Sequence, residues 1–101
     1  MFQERTAFEP SPVVLVVEND VLKRSARAAA LRRGGMEVFE AANATEAMIV
    51  LEKIVVDVLL SDLTLHEGAT LAQWVRERQL PVRVFWTAAS ERQQPPRHLP
   101  S

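Results

Sequence analysis

Cysteine and tyrosine are absent from the 101 residues, glycine occurs three times, and neither sign of charge dominates. Without cysteine there is no disulfide framework and no thiolate metal site. Twelve basic and 13 acidic side chains leave a net charge of −1. That balance argues against a nucleic-acid binder, which is usually basic. It argues equally against an acidic disordered tail protein. The apolar runs span only a few residues, too few to cross a bilayer. The first 12 residues, MFQERTAFEPSP, have no apolar centre and carry acids, unlike a secretory signal. A cytoplasmic protein with no membrane and no nucleic-acid partner is expected.

What is present fits one small domain. Hydrophobic residues make up 48% of the chain and charged residues 25%, an ordinary composition for a globular fold. The ends differ from the middle. Residues 1–12 are polar and contain Pro10 and Pro12, and 90–101 form a Pro-rich tail with Pro95, Pro96 and Pro100. Both read as extended or flexible segments flanking a domain over 13–89.

Within that domain the elements alternate. Val13-Val14-Leu15-Val16-Val17 is an unbroken β-branched run, suited to a strand buried on both faces. Residues 20–33 are rich in Ala, Leu, Arg and Lys without Gly or Pro, which predicts a helix. Asn19 or Asp20 can cap its start, and Gly34-Gly35 can end it. Met36 to Glu40 alternates as a second strand. Asn43-Ala44-Thr45-Glu46 has capping-box spacing and opens a helix over 44–53. Val55 to Leu60 reads as a third strand, Thr70 to Gln79 as a third helix, and Val82 to Trp86 as a fourth strand. Arg24, Arg27, Arg32 and Arg33 read as a solvated helix face, and His66 as an exposed loop residue.

A β-α-β-α-β-α-β order predicts a parallel sheet with helices on both faces. In such sheets chemistry gathers at the carboxyl ends of the strands. Strand one ends in Glu18-Asn19-Asp20, strand three in Ser61-Asp62, and strand four in Thr87-Ala88. Three carboxylates, an amide and a hydroxyl therefore converge. Clustered carboxylates need a proton or cation between them, and oxygen ligands of this kind suit Mg²⁺ beside a phosphate.

The stretches VVLVVENDVLKR, VDVLLSDLTL and VRVFWTAA, in that order, resemble the receiver domain of bacterial two-component response regulators. The resemblance covers about residues 12–89. It implies a flavodoxin-like α/β fold with strand order 2-1-3-4 and a phosphorelay role, taking a phosphoryl group from a histidine kinase or a phosphotransfer protein. By the same resemblance Asp62 stands at the phosphoacceptor, Glu18 and Asn19 at the acid pair that holds Mg²⁺ together with Asp62, and Thr87 at the switch hydroxyl. Asp20 is left as an accessory acid.

The sequence departs from that pattern. Asn19 replaces the principal metal-binding aspartate, and a neutral amide oxygen weakens Mg²⁺ binding. His66 stands where proline is usual, and Thr70 where glycine is usual. The family's lysine after a fifth strand has no counterpart. The 14 residues after Thr87 include Pro95-Pro96 and cannot supply a helix, a strand and another helix. The fifth βα unit is therefore expected to be missing, leaving the strand 82–86 edge open to self-association. These departures support a second reading, a pseudo-receiver that binds a partner without phosphorylation. A small aspartate-using phosphatase ranks lower, because no D-x-D pair follows a strand; the chain is expected not to be an enzyme.

Overall fold

The structure, a computed structural model, describes residues 10–87. The 90–101 tail and residues 1–9 of the N-terminal segment lie outside the described residues. Seven elements follow in order: β1 (Val13–Val17), α1 (Val21–Arg33), β2 (Glu37–Ala41), α2 (Ala44–Lys53), β3 (Val58–Ser61), α3 (Leu65–Glu77) and β4 (Arg83–Trp86). The four strands are parallel in the order β2-β1-β3-β4. The fold is the parallel sheet with helices on both faces that the alternation predicts, in the flavodoxin-like order that the resemblance implies.

Strand residues alternate between two faces, and each face has its own core. Leu15, Val17, Ala41 and Leu59 pack with Ala44, Ala47 and Leu51 of α2 and with Leu71 and Val75 of α3. On the opposite face Val14, Val16 and Val38 pack with Ala28 of α1, flanked by Leu31, Val58 and Leu60. One helix thus covers one face and two cover the other. Leu15, Val16, Val17 and Leu59 are wholly buried, as the β-branched runs require.

The caps follow the local sequence. Asp20 accepts from the N–H groups of Leu22 and Lys23 at the start of α1, and Arg32 and Arg33 occupy its last turn. Asn43 accepts from Glu46 N–H, and Glu46 Oε1 accepts from Ala42 N–H at 2.8 Å. That second bond reaches one residue further back than the standard capping box.

Two boundaries differ from the sequence reading. Regular β3 starts at Val58 rather than Val55, because Val55 leaves α2 facing solvent, 80% exposed. Ladder bonding begins at Asp57, whose N–H donates to Val13 O and whose carbonyl accepts from Arg83 N–H. Helix α3 runs from Leu65 to Glu77, not from Thr70 to Gln79. Thr64 caps it by accepting from Glu67 N–H, and with no proline between Thr64 and Pro81 nothing delays its start. His66 is therefore exposed on the first turn of a helix rather than in a loop. At the other end Gln79 takes a left-handed φ of 55°, which turns the chain out of the helix.

Candidate functional site

The site is built by strand register. Val17 pairs with Ser61, and Ser61 pairs with Trp86. The next residue along each strand is Glu18, Asp62 and Thr87. Backbone bonds continue the ladder through all three. Glu18 N–H donates to Ala41 O at 3.0 Å, Asp62 N–H to Val17 O at 2.9 Å, and Thr87 N–H to Ser61 O at 3.1 Å. Three residues distant in sequence thus become neighbours at the carboxyl edge.

Side-chain parity puts them on one face. Glu18 follows Val14 and Val16, and Asp62 follows Val58 and Leu60, all on the α1 side of the sheet. Thr87 has the opposite parity to Val84, which packs on the α2–α3 side. The Thr87 hydroxyl donates to Asp62 Oδ1. Glu18 and Thr87 are buried, and the Asp62 side chain is only 4% exposed.

Burial pushes the Glu18 carboxyl above the ordinary range, and the neighbouring Asp62 carboxylate pushes the same way. A weaker opposing influence is Asp20 N–H, which donates to Glu18 Oε2 at 2.8 Å. Glu18 Oε1 is buried and finds no hydrogen-bond partner among the described residues. Two adjacent carboxylates are both acceptors, so a proton on Glu18 relieves the pair.

Asp62 also has a cation. Arg27 of α1 places Nη2 3.4 Å from Asp62 Oδ2. This corrects the reading of a solvated arginine face for Arg24 and Arg27, which are partly buried, whereas Arg32 and Arg33 are exposed as that reading expects. Arg24 donates to Glu18 O at 2.8 Å and pairs with Glu40, and Arg32 donates to Val38 O at 2.8 Å and also pairs with Glu40. The signal was in the spacing. Positions 24, 27, 28 and 31 form the inward stripe of a helix, and Ala28 and Leu31 of that stripe pack on the sheet.

The other acid-edge residues turn elsewhere. Asn19 is exposed, and its Nδ2 donates to Ala42 O at 2.8 Å. Asp20 is exposed and occupied in capping α1. The structure therefore brings together Glu18, Asp62, Thr87 and Arg27, with Asn19 and Asp20 at the rim.

A parallel α/β sheet with a buried acid pocket at its carboxyl edge defines the class of protein. Residues 14–99 match the family model described as response regulator receiver domain. The chain belongs to that family, and so to two-component signalling. Its structure is similar to a response regulator receiver protein from Pseudomonas putida, with 25% identity over 77% of this chain and 69% of that one, and a TM-score of 0.67. It is similar to the receiver domain of the hybrid histidine kinase CckA, with 28% identity over 81% of this chain and 99% of that one, and a TM-score of 0.60. The fold also matches a Saccharomyces cerevisiae receiver domain, solved together with its histidine phosphotransfer protein. Identity there is 21% over 76% of this chain and 63% of that one, with a TM-score of 0.69. No curated protein sequence is significantly similar to the chain.

Receiver domains commonly bind Mg²⁺ at this edge. A divalent ion of this kind is held by carboxylate oxygens. Here Asp62 is paired with Arg27, and Asn19 is exposed, contributes no charge and donates its amide to Ala42 O. No cluster of three acidic, histidine or cysteine side chains among the described residues is placed to hold a metal ion. With Arg27 in position, the pocket does not fit a divalent cation. No helix among the described residues is long and apolar enough to cross a membrane.

Proposed function

We propose that this receiver domain accepts a phosphoryl group on Asp62 from a phosphohistidine of a sensor kinase or a phosphotransfer protein, in the cytoplasm and as a signalling module rather than an enzyme. One observation carries the proposal. The Asp62 carboxylate sits in a pocket where a hydroxyl, Thr87, and a guanidinium, Arg27, both reach its oxygens. An Asp62 oxygen would attack phosphorus, the phosphorus–nitrogen bond would break, and the histidine ring would keep the electron pair and take up a proton. The charge on the transferred group needs donors already in place, and Thr87 and Arg27 are positioned to supply them. No step runs through a metal ion on Glu18, Asn19 and Asp62, because Asp62 is already paired with Arg27.

A second reading, a phosphorylation-independent interaction module, is favoured by the Arg27–Asp62 ion pair and by Asn19. One assay separates the two. The full chain is incubated with acetyl phosphate, with Mg²⁺ and with a chelator, and its mass is followed. A base-labile gain of one phosphoryl group that disappears in Asp62→Ala is the expected result. No gain under either condition would reject phosphoacceptance and leave the interaction module.

A further inference from the structure

The pocket already contains a cation, and it comes from the protein. Arg27 belongs to the inward stripe of α1 and shares the face on which Glu18 and Asp62 stand. Its Nη2 lies 3.4 Å from Asp62 Oδ2, and its Nε is buried without a hydrogen-bond partner among the described residues. The Asp62 side chain is 4% exposed and that of Arg27 37%. A guanidinium held so close to a buried carboxylate is charge-assisted and weakly screened. Asn19, exposed at the rim with its amide on Ala42 O, adds no negative charge beside the pair.

We propose that Arg27 is the pocket's own counter-cation: its guanidinium balances Asp62 in the resting domain and, by charge and position, excludes a divalent metal ion. In the resting domain Arg27 acts through Asp62, the carboxylate it pairs with. The inference rests on reading this pocket as the working site, and its test uses no phosphoryl transfer. Two positive charges on one carboxylate repel, and the arginine is covalently present at high local concentration. Removing it exposes Asp62 and Glu18 to metal.

The test titrates the full chain with MgCl₂, following heat of binding and melting temperature in parallel. The wild type is expected to melt at the same temperature with Mg²⁺ and with a chelator. Arg27→Met keeps the aliphatic stem and loses the charge. It is expected to melt lower, to bind Mg²⁺ at least about tenfold more tightly than the wild type, and to regain melting temperature when Mg²⁺ is added. Adding Asp62→Asn to Arg27→Met is expected to abolish that gain, whereas a merely structural arginine would produce no metal-dependent recovery.

Equal Mg²⁺ affinity in the wild type and Arg27→Met would overturn the proposal. If Arg27→Met does not fold, Arg27→Gln replaces it. Its amide is polar and uncharged, so tighter Mg²⁺ binding than wild type is expected, and unchanged binding would overturn the proposal. Failure of acetyl phosphate to modify Asp62 alongside these Mg²⁺ results would reject the phosphoacceptor reading alone. Modification of Asp62 with equal Mg²⁺ affinities would reject the role of Arg27 alone.

Discussion

Glu18 is the residue where burial, charge and function meet most tightly. Its carboxyl is buried at the end of β1, beside a second carboxylate, and both effects favour the protonated form. A carboxyl that titrates higher in the folded chain than in the unfolded chain binds its proton more tightly when folded. Its contribution to stability is fully present below the ordinary value of 4.5. It is lost as pH rises through the raised folded value. Glu18→Gln is isosteric and cannot ionise. The wild type should therefore lose stability relative to Glu18→Gln as pH climbs above about 4.5, measured by urea unfolding across a pH series. Parallel stability profiles for the two chains would refute this assignment.

At the scale of elements, α3 and β4 approach closely at Gly68 and Trp86. Gly68 lies in the interior of α3, where alanine is ordinarily better by about 1 kcal/mol. Here a Cβ would fall 2.5 Å from Trp86 Cζ3, so the indole of β4 lies against the bare backbone of α3. Overpacking of this kind costs about 1–3 kcal/mol and outweighs the helical gain. Gly68→Ala is expected to lower stability by about 1 kcal/mol and to shift tryptophan emission. Trp86→Leu in the same chain should remove most of the penalty. An additive double mutant would show that the two positions do not touch. Trp86 immediately precedes Thr87, so the same packing sets the direction in which the Thr87 backbone leaves the sheet.

A second link between elements caps α2. Glu67 of α3 accepts from Ala44 N–H at 2.8 Å, and Asn43 accepts from Glu46 N–H. Two of the four free N–H groups at that helix start are thereby satisfied, one by a local residue and one by a neighbouring helix. Asn43→Ala should cost about 1 kcal/mol of stability, read as a lower urea midpoint with unchanged slope. A midpoint equal to that of the wild type would show that the cap is dispensable.

On the scale of the whole molecule, β4 is an edge strand of the sheet among the described residues. Phe85 on that strand is 49% exposed. Exposed strand edges with apolar side chains pair with other chains. The chain is expected to self-associate through residues 82–86, and Phe85→Lys to shift it toward monomer in sedimentation velocity. A wild type that sediments as a monomer at all concentrations would exclude this. Stability and association are then linked by mass action, so melting temperature should rise with protein concentration in the wild type and not in Phe85→Lys.

Much of this protein was legible in its residues. The apolar run at Val13–Val17, the cap at Asn43 and the helix-forming stretch before Gly34 each encode their own element, because strand burial and helix capping are local properties. Asp62, Glu18 and Thr87 stand out because they follow strands directly, and the family resemblance gives them their roles. The beginnings of β3 and α3 are not legible in the residues, because exposure of Val55 and capping by Thr64 depend on how the chain leaves one element and enters the next. The role of Arg27 is not legible for a different reason. Its place on the inward stripe of α1 is written in the sequence, but a charged side chain there has no meaning until a partner is known. That partner, Asp62, lies 35 residues away, and only the register of β1 against β3, with α1 laid over that face, brings guanidinium and carboxylate together.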